Sequence, residues 1–447
     1  MLKKYVSVGV GLLLLLSPVI ASAQSVSTSD SSLIAILEQL VAVLTQELKT
    51  LIAAKTGSIS GTIPPPAQTA AVAARAINIG RPVGFGSSTT GGCNPDGSCP
   101  NICHVSNQAS LVACVTSSGP ELVVFDTPSI DIDSNPAGNA ATVRIGSNKT
   151  ILGPVTLESQ GTILEIRDAS NIVIKDVFFR STLTHSDTYS TGTTVIPYNC
   201  SALTSHAVFP VINPNATIRC GISIDIIGNS HNIWIDHDNF TFCGEKCIEV
   251  WTNTNDYDAS GRYFVPDLIT ISNSRFTNSY FGTAIGIDNN ATAQNYPSLD
   301  RHERVTLYGN YFRVFRRTPR LTTVAQVHEF NNVVADYGGW NSCAGNSFGF
   351  GPSPERGGEL IAENNVFEAW PNVGSCKQAI ANYGGYFEAS GNELTNGATL
   401  PTNVLSTSTP MFSPGYAYTL LSPSAAHSSV LTNAGVETGR SSATTTQ

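Results

Sequence analysis

From about residue 76 to residue 421 the chain alternates apolar and polar positions in short runs, each closed by Asn, Gly or Asp. These runs are TVRIGSNKTILG, LEIRDASNIVIKDVFF, ISIDIIGNSHNIWIDHDNF, LITISNSRF, RVTLYGNYF, VHEFNNVV and LIAENNVF. Successive side chains of a strand point to opposite faces, so each run predicts a strand with one buried face. No helical period separates the runs, and so long a series of short strands does not suit an antiparallel sandwich, the competing arrangement. The recurrence predicts a parallel β-solenoid, whose coils bury their apolar faces only by stacking on one another. Asn followed shortly by Phe closes several runs, as at Asn273, Asn310 and Asn365, which predicts ladders of side-chain amides inside the turns.

The pattern is different at both ends. Lys3 and Lys4 precede the apolar run GVGLLLLLSPVIA, and ASA at 21–23 offers small residues for cleavage. Residues 1–23 therefore read as a signal peptide, because the apolar core between Val6 and Val19 is short for a spanning helix. No later segment is long and apolar enough to span a membrane, so the expected product is a secreted, extracellular protein without a transmembrane segment. Over residues 24–56, Ile34, Leu37, Val41, Leu44, Leu48 and Leu51 step by threes and fours. That spacing predicts a short helical or coiled-coil stalk with a capacity for self-association, or an amphipathic helix packed on the main domain. Residues 57–75 have the Gly, Pro and Ala bias of a linker, and residues 422–447 read as a loose Ser/Thr-rich tail.

Composition narrows the function classes. Ten cysteines suit an oxidising compartment and predict disulfides whose pairing the spacing leaves open. No Cys/His cluster has the paired spacing of a structural zinc site. A net charge of -9 argues against a nucleic-acid partner, and a polyanionic substrate would need a bridging cation.

Two stretches concentrate chemistry. In CGEKCIEVW, Glu245 and Glu249 fall on one face of an extended segment, and Lys246 is the only base close to them in sequence. The pair reads either as a solvated surface or as the oxygen ligands of a hard divalent cation such as calcium. In FRRTPRL and the residues around it, Arg313, Arg316, Arg317 and Arg320 form a cationic focus in an acidic chain. It reads either as a set of surface salt bridges or as a site for carboxylate ligands, which suit the planar guanidinium fork.

Six short motifs then occur in order: TTGG at 89–92, VVFD at 123–126, SNKTI at 147–151, NIWIDH at 232–237, RTPR at 317–320 and VHEFNN at 327–332. Together they resemble the pectate lyase and pectin lyase family of polysaccharide lyases, over nearly all of residues 80–400. The resemblance implies a right-handed parallel β-helix and cleavage of galacturonan, as pectate or partly methylated pectin, by β-elimination. It implies Arg317 as the base that takes the C5 proton, Arg320 and Phe281 as substrate contacts, and Glu245 and Glu249 as calcium ligands. Arginine is ordinarily protonated, so a base role demands strong perturbation by its surroundings. Asp236 and His237 match a family hallmark and are not assigned to catalysis.

The chain departs from the family pattern at three places. A further calcium aspartate has no counterpart in CGISIDIIGNSHNIWIDH, where Cys220 or Ile222 stands instead and Asp225 reads as out of register. Phe281, beside Tyr280, replaces a substrate-binding lysine, and Thr322 replaces the second arginine of the R-x-P-x-x-R motif. Aromatic side chains suit sugar faces and methyl esters, whereas pectin lyases do not keep the acid pair. The alternative reading is a non-catalytic carbohydrate-binding β-helix that has lost parts of a lyase site. A polygalacturonase-like hydrolase is disfavoured, because the G-H-G tripeptide of glycosidases on this fold is absent.

Overall fold

The computed structural model describes residues 79–132, 142–159, 162–181, 187–191, 194–198, 222–241, 243, 246–253, 256–277, 279, 281–287, 301–314, 317–337, 350–369, 377–401 and 411–437. The expected signal peptide, stalk and linker lie outside these residues, as do Glu245, Tyr280, Arg316 and four of the cysteines (Cys200, Cys220, Cys343, Cys376).

The strands stack as a parallel β-helix. Among the described residues one sheet has seven strands and another seventeen. Their ladders are parallel throughout, while Asp187–Thr191 and Thr194–Tyr198 form a separate antiparallel hairpin. The seven-stranded sheet takes one short strand from each coil: Val143–Ile145, Leu164–Arg167, Ile224–Ile227, Ile248–Thr252, Thr283–Ile287, Arg320–Thr322 and Ser353–Glu355.

Inward side chains stack on their equivalents one coil away, which is how a coil that cannot bury its own face becomes stable. Phe179, Phe240, Phe276 and Phe312 are fully buried and stack with ring centroids 4.9, 4.7 and 4.6 Å apart. The expected amide ladder is present: Asn332 and Asn365 each donate a backbone N–H to the side-chain oxygen of the next asparagine, Asn365 and Asn392 respectively. Asn310 joins it through Asn332, but Asn273 does not; Ser274 takes that rung and the Asn273 amide donates to Asp236 instead. A third ladder runs Ile174, Ile235, Ile271, Leu307, Glu329 and Ala362, so a carboxyl group replaces an aliphatic side chain in mid-core.

Among the described residues two helices flank the solenoid. α1 (Gln108–Thr116) starts at Asn107 with a capping box to Ser110 and buries Leu111, Cys114 and Val115. Disulfides Cys93–Cys99 and Cys103–Cys114 tie the segments around it. α2 (Pro423–Asn433) corrects the expectation of a loose tail over its residues. Ser422 caps it, Pro423 fills the first turn, Ala426 and Val430 are buried, and Val430 packs with Val333, Ala335 and Val366. No helix of the described residues is long and apolar enough to cross a membrane.

Candidate active site

The outer face of the seven-stranded sheet carries a row of charge. Parallel register places Arg144, Glu165, Asp225, Glu249, Ala284, Arg320 and Ser353 side by side on successive strands. The intervening positions point inward: Ile224 lies over Ile248 and Ile226 over Val250, all fully buried. That apolar stack fixes the register, because a one-residue slip would turn every buried side chain outward. Asp225 is therefore directly opposite Glu249 on the neighbouring strand.

The acids of this row have unequal partners. Glu165 pairs with Arg144 at 2.6 Å and with Arg167 at 3.4 Å. Glu249 pairs with Lys246, whose Nζ lies 2.6 Å from Oε1, and both side chains are about nine-tenths buried. Lys246 stands in a short loop closed by the Cys243–Cys247 disulfide. Asp225 keeps one buried carboxyl oxygen, Oδ1, without a hydrogen-bond partner. Burial first, then the charges of Glu249 and Glu165, push its pKa up to about 7, against the pull of Lys246 and Arg167.

The second part of the site lies at the bend that precedes these strands. Ser223 N donates to Lys246 O, Cys247 N to Gly282 O and Thr283 N to Arg317 O. Those bonds set Lys246, Phe281 and Arg317 at the corresponding bend of three consecutive coils. The guanidinium carbon of Arg317 is 3.7 Å from the centroid of the Phe281 ring, a cation–π stack. Arg317 is held at φ 66°, a left-handed conformation that non-glycine residues seldom adopt. Gly282 permits the close approach: a Cβ there would lie 2.6 Å from the Arg317 carbonyl oxygen.

The cationic focus divides into separate roles. Arg320 is largely buried and its Nε donates to Glu355 at 3.0 Å, while Arg313 donates to Asp336 at 2.7 Å. Thr322, at the position of the missing arginine, is fully buried and donates to the Ile287 carbonyl at 2.7 Å. Asp236 and His237 belong to the other sheet, where Asp236 is ion-paired with Lys175 and hydrogen-bonded to His237, away from the row. The sequence reading named Asp225 and Lys246 but gave neither its partner: the register sets Asp225 opposite Glu249, and Lys246 is ion-paired with Glu249. The signal for Lys246 was its place between the two glutamates.

No group of three or more His, Cys, Asp or Glu with a metal-holding arrangement is found among the described residues. Asp225, Glu249 and Glu165 are nonetheless hard oxygen donors in register, and the orphaned Oδ1 of Asp225 is a buried acceptor without a donor. This donor chemistry fits a hard divalent cation, with Lys246 now at Glu249.

A pectate lyase family model matches residues 221–439. Among characterised proteins, a pectin lyase of Bacillus subtilis is 29% identical over 248 residues, 55% of this chain and 57% of that protein. A pectin lyase of Pectobacterium carotovorum is 24% identical over 350 residues, 75% of this chain and 89% of that protein. The match thus spans little more than half the length of the first and most of the second. Among solved structures, the major cedar pollen allergen jun a 1 aligns with a TM-score of 0.57 at 20% identity, covering 80% of this chain and 93% of its own. A pectate lyase bound to a hexasaccharide aligns with a TM-score of 0.53 at 16% identity, covering 80% of this chain and 99% of its own. These structural likenesses are of fold.

Proposed function

The chain belongs to the pectate lyase and pectin lyase family, and from that premise we propose that it cleaves α-1,4-linked galacturonan by β-elimination, with Arg317 as the base. The observation that carries this reading is the Arg317 guanidinium fixed over Phe281, one bend from the row that holds Asp225 and Glu249. In the proposed reaction an Arg317 nitrogen takes the proton from C5, the C5 electron pair forms the C4=C5 double bond, and the C4–O4 bond breaks. The leaving oxygen takes a proton from solvent.

The C5 proton is weakly acidic, so charge developing toward the neighbouring carboxyl group must be stabilised. Calcium, when bound, would neutralise that carboxylate; the residues we assign to hold it are Glu249, Asp225 and Glu245. Arg320 and Phe281 are the proposed substrate contacts. Phe281 is an aromatic residue where the family resemblance implies a lysine that would select a free carboxylate, which favours partly methylated pectin over fully ionised pectate. The basic, apolar and small-residue order of residues 1–23 supports export of the protein, and the 24–56 stalk supports self-association.

A paired assay tests this reading: purified protein on polygalacturonate and on methylated pectin, each with calcium and with chelator, following the ultraviolet absorbance of a 4,5-unsaturated uronide. Rising absorbance supports elimination. New reducing ends without absorbance mean hydrolysis and overturn it, and silence on both polymers moves the reading to a carbohydrate-binding protein.

A further inference from the structure

The row of acids has an internal cation, Lys246, whose placement is tightly determined. Its backbone carbonyl accepts from Ser223 N at 3.3 Å, its neighbour Cys247 donates to Gly282 O at 2.8 Å, and the Cys243–Cys247 disulfide closes the loop around it. The Lys246 side chain leaves this anchored backbone to meet Glu249, with Nζ and Oε1 2.6 Å apart and only 10% and 11% of the two side chains exposed. The contact is a charge-assisted hydrogen bond in a water-poor setting, the stronger kind.

Among the described residues, the centre of the row holds a carboxylate oxygen, Asp225 Oδ1, that no donor reaches. Glu165 is paired with the guanidinium groups of Arg144 and Arg167, and Glu249 is paired with the Lys246 ammonium. Asp225 lies between these two acids in register and has one buried oxygen without a donor. A single ammonium neutralises one carboxylate, whereas one divalent cation between Asp225 and Glu249 would neutralise both. The two cannot share the Glu249 oxygen at full contact, since like charges in so small a space repel strongly.

We propose that Lys246 is a resident counter-ion that competes with calcium for Glu249, so that calcium binds by displacing it and Lys246 sets the calcium concentration at which the site fills. This rests on the calcium assignment made above. Without calcium the ammonium keeps the row partly neutral. With calcium the ammonium leaves Glu249 and becomes accessible to solvent.

Two measurements on the full chain test this. Calorimetric titration with calcium chloride compares the native protein with Lys246→Met, Lys246→Arg and Arg167→Met. The expected result is a calcium affinity raised about tenfold or more in Lys246→Met, the effect of removing one charge at contact distance. Lys246→Arg should bind like the native protein, and Arg167→Met should change by much less than Lys246→Met. Equal affinity in Lys246→Met and the native protein overturns the proposal while leaving the calcium site standing. An Arg167→Met effect as large as that of Lys246→Met also overturns it, since a general field would then explain both. No binding heat from any protein at millimolar calcium removes the calcium assignment itself. The second measurement needs no variant: amine acetylation read by mass spectrometry should label Lys246 readily with calcium and poorly with chelator. Equal labelling under both conditions overturns the displacement.

Discussion

The guanidinium of Arg317 lies over the ring of Phe281, 3.7 Å from carbon to centroid, on the neighbouring coil of the β-helix. One side chain thereby touches the proposed base and stands where the family resemblance implies a lysine. A cation–π contact of this kind is worth about 0.5–2 kcal/mol, depending on how far it is shielded from water.

Replacing the ring separates its two roles. Phe281→Ala should lower kcat/KM about tenfold through loss of that contact, and Phe281→Tyr should retain most of it. Phe281→Lys should shift preference from methylated pectin toward polygalacturonate. Steady-state kinetics on both polymers check this, and an unchanged preference in the lysine variant contradicts the substrate assignment.

Gly282 is required by distance rather than by its own torsion angles. A Cβ at this position would stand 2.6 Å from the Arg317 carbonyl, against backbone that cannot simply swing aside. Gly282→Ala should displace the bend, lower stability by about 1–3 kcal/mol as overpacking does, and lower kcat by up to about a hundredfold. Thermal melts and kinetics together read this; full activity with a normal melting temperature would show that the bend is compliant.

Glu329 is a buried acid in an aliphatic ladder, with neither carboxyl oxygen hydrogen-bonded. Burial pushes its pKa well above the usual carboxylate range, so the folded protein holds the proton that the unfolded chain releases. Stability from this group is complete below the unfolded pKa of about 4.5 and declines as pH rises above it. Glu329→Leu should therefore stabilise the fold, by about 1–3 kcal/mol from the unsatisfied carboxyl alone, with the gain larger at pH 8 than at pH 5. Denaturant melts at the two pH values measure it, and a leucine variant no more stable at pH 8 would contradict the assignment.

Asp236 behaves in the opposite sense. Burial would raise its pKa, but the hydrogen bond with His237 and the charge of Lys175 overcome that and bring it to about 2. Its contribution is complete above the ordinary value of 3.8 and is lost as pH falls from there toward about 2. Lys175→Met should cost about 3–5 kcal/mol, because it strands a buried charge. The kcat of the folded fraction should not change, since this pair lies on the other sheet. A kcat loss beyond the unfolded fraction would bring Asp236 into the chemistry.

The sequence made some of this legible and concealed the rest for identifiable reasons. Alternation and recurrent asparagine predicted the solenoid and its amide ladder, because period-two burial and the turn amides leave a direct mark on the chain. Asn273 shows the limit of that rule: the same residue type before the same turn went to Asp236, while Ser274 took the rung. The order of motifs brought out Arg317 and Phe281, which are close in sequence to their own strands. The Asp225–Glu249 pair was hidden because lateral register between coils is set by the inward stack of Ile224 on Ile248, not by counting residues from NIWIDH. Helix α2 was missed because Ser, Thr and Ala suggested a loose tail. Its signals were nevertheless present in Ser422, Pro423 and the buried spacing of Ala426 and Val430. Glu329 could not be found from alternation alone, since a polar letter at an inward position reads as an outward one.

The central claim is that Arg317 takes the C5 proton in a β-elimination. The most direct measurement is the initial rate of 4,5-unsaturated uronide formation, read by ultraviolet absorbance, for the native protein and for Arg317→Ala at matched folded concentration. The account predicts a clear rate for the native protein and a loss of at least about a hundredfold in the variant, the lower scale of a positioned proton-transfer group. An Arg317→Ala protein that still forms the unsaturated product at the native rate would contradict it.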